Sequence, residues 1–241
     1  MISNGKFYES QFEEATIELL REAHWQYAFG DDIHRKYTDP LIEEDLRNFL
    51  AVQYKDKNLT TSEMDSIVAN LRNTGGQNDY YALRNTFLLY RDGYDFAYSD
   101  GRSNPFRLEY IDFEHPDHNI FRCVNQFVIE QGRENRRPDI LLFINGIPVC
   151  IIELKNPTKQ NATIHDAHTQ ICTRYMRDIP ALLKYCALAV ISDGAKNALG
   201  ATYTPFEFFY EWKKIENEDK AGKGLDTLRT LIRGAISPER I

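Results

Sequence analysis

The segment RRPDILLFINGIPVCIIELKNP constrains this chain more than any other. Two runs of branched and aromatic residues, 139–144 and 148–154, flank Asn145-Gly146, a dipeptide suited to a hairpin because both residues tolerate positive φ. Side chains alternate along a strand, so Leu141 and Phe143 face one way while Ile140, Leu142 and Ile144 face the other. Both faces are apolar. Such a hairpin must be covered on both sides, which predicts central strands in an α/β fold with a mixed sheet.

The rest of the chain supplies the covers. Phe12, Leu19, Ala23 and Tyr27 share one stripe at helical spacing, widened by Ile17 and Leu20, and predict a first helix over residues 8–27. Residues 40–90 read as a helical block resting on the sheet. Asp39-Pro40 opens it, Thr60 and Glu63 have capping-box spacing, Gly75-Gly76 stops one helix, and a further helix covers 79–89. Past Gly93, FRLEYIDF and NQFVIE read as strands. A helix is expected over 163–178, then a buried strand, CALAVIS, ended by Asp193-Gly194. Helices are expected again at 205–214 and 224–235.

Composition removes several classes. With 241 residues, 42% hydrophobic and 27% charged, the chain is neither disordered nor in need of staples. It has no apolar run of 18 residues and no secretory signal, so neither a membrane span nor export is expected. Cys123, Cys150, Cys172 and Cys186 match no zinc spacing and read as reduced thiols of a cytoplasmic protein. The net charge of −7 argues against a simple basic nucleic-acid binder. Residues 133–184 nevertheless hold eight Lys/Arg against five Asp/Glu, a region able to face phosphates.

Four ionisable residues fall on or beside apolar elements: Glu13, Asp139, Glu153 and Lys155. A charge there is costly unless paired or metal-bound. Hairpin parity decides whether the strand residues meet. A two-residue turn leaves Asp139 and Glu153 on opposite faces. A three-residue loop pairs Ile144 with Pro148 and sets the two carboxylates directly across from each other, roughly 5 Å apart at Cβ, with Lys155 on the same face. The three-residue loop is the expectation. A cation between the carboxylates would relieve their repulsion, and oxygen-only ligation suits Mg²⁺ or Mn²⁺. Glu13 falls inside the apolar arc of the first helix, with Glu9 as its rival. His115/His118 and His165/His168 have chelating spacing but no evident third ligand, and read as surface residues. An ExK triplet alone is nearly free in any chain; its place after a buried strand, 14 positions beyond Asp139, gives it weight.

The string RPDILLFINGIPVCIIELKNP resembles motifs II and III of the PD-(D/E)xK nucleases. More narrowly it resembles the N-terminal nuclease domain of the restriction (R) subunit of type I restriction-modification enzymes. FEEATIELL, RDIPALLKYCALAVISDGAKNALG and TPFEFFYEWK resemble further segments of that subunit, so the resemblance spans about residues 8–240 and is weakest over 36–90.

The resemblance implies a restriction-endonuclease-like core, residues 1–241 forming a single endonuclease domain with a helical insertion at about 36–90. It implies Asp139 and Glu153 as metal-binding carboxylates, Lys155 as the catalytic lysine and Glu13 as the first-motif glutamate. It also implies a Gln-x3-Tyr motif. Here Gln170 and Tyr175 have four residues between them, which on an α-helix turns them about 140° apart instead of about 40°. That leaves open whether Gln170 fills the role, with Arg174 as a neighbour on its face. Arg133, Arg136 and Arg137 are expected to touch DNA phosphates.

The implied activity is Mg²⁺-dependent hydrolysis of double-stranded DNA. No phosphate-binding loop of the Gly-x4-Gly-Lys type appears. ATP would act only through motor domains outside this segment, which reads as an excised N-terminal domain working with modification and specificity subunits. A docking module with weak catalysis, or another nuclease of the superfamily such as a repair enzyme, stays open as an alternative.

Overall fold

A computed structural model describes residues 4–155, 163–215 and 222–241, with side chains from Ser10 onward. Its spine is a six-stranded mixed sheet of order β1-β4-β7-β8-β9-β10, formed by Gln26–Phe29, Phe121–Asn125, Ile140–Ile144, Ile147–Leu154, Leu188–Ser192 and Asn197–Ala201. β1 runs parallel to β4 and β8 parallel to β9, while the other neighbours are antiparallel. Every residue of β7 and β8 is buried. Two small hairpins, β2 (Tyr94–Phe96) with β3 (Phe106–Leu108) and β5 (Ile129–Gln131) with β6 (Glu134–Arg136), lie outside the sheet.

Both faces of β7–β8 are covered, as their composition requires. Ile140, Leu142 and Ile152 join one apolar core with Phe12 and Leu20 of α1 (Asn4–Glu22), Phe49 of α2 (Glu43–Gln53), Ile67 of α3 (Thr61–Asn73), Tyr90 of α4 (Asp79–Asp92) and Leu231 of α8 (Leu225–Ala235). Leu141, Phe143 and Ile151 join a second core with Ala167 of α5 (Ile164–Thr169), Ile171 and Tyr175 of the π-helical turn Gln170–Tyr175, and Leu182 of α7 (Pro180–Leu183). Met176–Asp178 forms a short α6 between them. The helical block therefore packs on the sheet, and its Thr60/Glu63 capping box is made in both directions.

Three expectations are corrected. The first helix ends at Glu22, where His24 takes a positive φ of 71°, so Tyr27 lies not on the helix stripe but in edge strand β1. Residues 205–214 hold a single 3-10 turn, Phe206–Phe208, and then a bridge from Tyr210 to Leu199, in place of a helix. The Tyr210 backbone is taken up by the exposed side of β10, which wins over local helical propensity.

The hairpin corrects the third. Its turn has two residues, both left-handed (Asn145 φ 50°, Gly146 φ 77°), and pairs Ile144 with Ile147. The register then shifts: Phe143 pairs with Pro148 but Leu142 pairs with Cys150, leaving Val149 as a bulge. The extra residue sits inside β8 and not in the loop. Glycine is needed at 146, where a Cβ would collide with the Ile42 carbonyl oxygen; that residue's amide donates to Gly146 O at 2.9 Å.

Candidate active site

The bulge decides the site. Beyond it Ile140 pairs with Ile152, so the next pair out is Asp139 with Glu153, across from each other on one face. The Leu154 amide donates to Asp139 Oδ2 at 2.7 Å, which fixes the aspartate at the end of the strand pair. Burial and, next, the charge of Glu153 push the Asp139 carboxyl well above the usual carboxylate range. The expected juxtaposition is present, reached through a bulge where a longer loop was expected.

Glu153 is 1% exposed. Lys155 Nζ donates to its Oε1 at 2.9 Å and the Tyr175 hydroxyl donates to its Oε2 at 3.2 Å. Lys155 also donates to Gln170 Oε1 at 2.7 Å, and Gln170 Nε2 donates to the Tyr175 oxygen at 2.7 Å. The four side chains close a ring. Burial, then the neighbouring Glu153, pushes the Tyr175 hydroxyl up, so it stays protonated and acts as a donor.

Gln170 and Tyr175 meet because the helix carrying them is not a plain α-helix. Over 170–175 it is a π-turn, whose i→i+5 bonding brings residues five apart nearly to one face. The fourth intervening residue is absorbed there. Arg174 does not replace Gln170; it is exposed on the outer side. Together with Lys155, Asp166, Thr169, Gln170, Thr173 and Arg177 it lines an open cleft of about 410 Å³.

Glu13 arrives from α1. Asn125 Nδ2 donates to its Oε1 at 2.7 Å, and Gln126 Nε2 lies 3.0 and 3.2 Å from its two oxygens. Asn125 pairs with Ile140, which puts this clamp at the same end of the sheet as Asp139. The Glu13 charge adds to the forces raising Asp139. The rival, Glu9, and the Asn156-Pro157 end of the motif lie outside the described side chains. Sequence reading missed Asn125, Gln126 and Tyr27, whose hydroxyl donates to Asn125 Oδ1 at 3.0 Å. A polar Asn-Gln pair closing the apolar strand Phe121–Asn125 was the available signal.

The arginines divide. Arg133 and Arg137 are exposed, the former at the tip of the β5–β6 hairpin. Arg136 is not a free arm: it pairs with Asp178 at 2.6 Å and with Glu134 at 2.5 Å, tying β6 to α6. A guanidinium so engaged has fewer donors left for a phosphate. Nor is His168 a bare surface residue, since its Nε2 lies 2.9 Å from Thr204 O and its ring packs edge-on to Phe209.

Comparison with known proteins settles the kinship. The family described as "Type I restriction enzyme R protein N terminus" matches residues 6–208. The chain belongs to that family. The HindI type I restriction enzyme endonuclease subunit of Haemophilus influenzae is 31% identical over 244 residues, covering 96% of this chain and 23% of that protein. A putative MjaIXP endonuclease subunit of Methanocaldococcus jannaschii is 30% identical over 215 residues, covering 86% of this chain and 20% of its own length. The EcoprrI endonuclease subunit of Escherichia coli is 32% identical over 133 residues, 52% of this chain and 40% of that sequence. This chain thus spans under a quarter of the first two relatives. Among the described residues no helix is long and apolar enough to cross a membrane.

Proposed function

We propose that this chain is the DNA-cleaving domain of a type I restriction enzyme R subunit, a single PD-(D/E)xK endonuclease domain over residues 1–241 with a helical insertion at about 36–90. The observation that carries the reading is the pairing of Asp139 with Glu153 on one sheet face, with Lys155 and Glu13 at the same end. The activity is that of a type I site-specific deoxyribonuclease: hydrolysis of phosphodiester bonds in double-stranded DNA, in the cytoplasm. Other parts of the longer protein would use ATP to translocate DNA, and modification and specificity subunits would complete the assembly.

The residues fit a hard divalent cation. Asp139 and Glu153 offer oxygen only; burial first and their mutual repulsion second raise Asp139, and a cation between them would relieve that repulsion. They would hold Mg²⁺, with Mn²⁺ as a substitute, and the ion would supply charge at the scissile phosphate and acidify a bound water.

The chain's own groups do the rest. Among the described residues Lys155 Nζ engages Glu153 and Gln170, and the same side chain lines the cleft, where it can orient water or steady charge on the phosphorane-like transition state. Tyr175 and Gln170 fix Glu153 and Lys155 in place. Arg174, at the cleft, with Arg133 and Arg137 as exposed neighbours in sequence to Asp139, would hold the DNA backbone without reading bases.

The test is mutation in the full assembly. Asp139→Ala, Glu153→Ala and Lys155→Ala should each abolish DNA cleavage while ATP hydrolysis continues. Cleavage surviving Asp139→Ala and Lys155→Ala would remove the site assignment.

A further inference from the structure

A second set of metal-binding side chains stands apart from the carboxylates just described. The turn D-F-E-H-P-D-H places Asp112, His115 and His118 so that one donor atom of each lies within 4.8 Å of the others. The Asp112 carboxylate is buried, while both imidazoles are exposed to solvent. His118 Nδ1 lies 3.0 Å from Asp112 Oδ2 and His115 Nδ1 lies 3.7 Å from Oδ1. The second separation is too long for a hydrogen bond. Bonds of about 2.0–2.2 Å put neighbouring donors of one ion roughly 3–3.5 Å apart, so the His118 separation already fits and His115 has only a few tenths of an ångström to close. Among the described residues no other three groups of this chemistry come so close.

The turn is prebuilt. Asp112 Oδ1 accepts from the amides of Glu114 and His115, and Gln53 Nε2 donates to Oδ2 from the end of α2. Asn119 closes it, its Oδ1 accepting from the Asp112 amide and its Nδ2 donating to the Asp112 carbonyl. Asn119 Oδ1 also accepts from Asn145 Nδ2, so the turn is bolted to the β7–β8 turn, at the opposite end of the hairpin from Asp139 and Glu153. The two imidazole rings stack on each other, 5.0 Å apart.

We propose that Asp112, His115 and His118 bind one divalent first-row transition ion of the Zn²⁺ kind, as a structural clamp on the turn that braces the β7–β8 hairpin. Two imidazole nitrogens beside one carboxylate favour such an ion over Mg²⁺, which prefers oxygen. Water completes the coordination on the exposed side.

The probe is Co²⁺, offered to the full chain in excess Mg²⁺ and followed by equilibrium dialysis and by visible absorption. The expected result is one retained equivalent, with ligand-field bands and no thiolate charge-transfer band. His115→Gln and His118→Gln should each weaken retention at least tenfold with unchanged circular dichroism, whereas Asp139→Asn should leave it unaltered. Retention that survives both histidine changes, that falls with Asp139→Asn, or that is absent in the folded wild-type chain overturns the proposal.

Discussion

Tyr175 shows how much one hydroxyl carries. It donates to the buried Glu153 and accepts from Gln170, which in turn holds Lys155. Tyr175→Phe keeps the ring packed and removes both bonds. We expect chemical denaturation to show a loss of about 1 kcal/mol. Under the proposed function, cleavage by the assembled enzyme should fall further than that loss of folding explains. At this scale the sequence was legible for Asp139, Glu153, Lys155 and Glu13, because a charge placed on an apolar element announces itself. It was not legible for Asn125 and Gln126, since a polar pair at a strand end looks like any turn. Asp112 was missed because it precedes its histidines by three and six residues, and only the folded turn turns that spacing into proximity.

At the scale of elements, the hairpin and the helix after it share a lesson. Their lengths in sequence were readable, but where the chain places an extra residue was not. In the hairpin it is the bulge at Val149, and in the helix it is the π-turn at 170–175. Both restore a face that simple counting loses. Cysteines introduced as Asp139→Cys with Glu153→Cys should therefore form a disulfide in the intact chain, since directly opposed strand residues lie within bridging range. Deleting Val149 from that double variant should abolish the bridge, as peptide mass analysis would read.

The helical block makes a different prediction. Arg102 hydrogen-bonds Glu63 and, with the Thr60 amide, holds its carboxyl down at about 2. A folded value below the unfolded one gives stability that is present above the ordinary glutamate range and is lost as pH falls through it toward 2. Glu63→Gln should flatten that acid limb in thermal melts taken from pH 5 to pH 2, and leave the neutral side parallel to wild type.

Across the whole molecule, one sheet joins two apolar cores, so unfolding should not separate them. Trp25 reports one face: it is 2% exposed, its Nε1 donates to Ile236 O at 2.9 Å, and its ring meets Phe121 edge-on. Trp212, the other tryptophan, is 40% exposed. In a Trp212→Phe background, Trp25 fluorescence and far-ultraviolet circular dichroism should report the same denaturant midpoint. Two separated midpoints would show that the cores melt independently. The layered α/β architecture was readable in advance because strands apolar on both sides admit few other solutions, whereas the 205–214 segment misled because its fate depended on a strand edge far from it in sequence.

Asn145 has a consequence for genetics. It is fully buried, left-handed, and joined to Ile120, Tyr110 and Asn119. The hairpin is thus a rod gripped at one end and bearing its acidic groups at the other. A lesion at the grip would tilt the rod, and under the proposed function a screen for lost restriction would score it beside lesions at Asp139 and Glu153, although Asn145 sits at the far end of the hairpin from both.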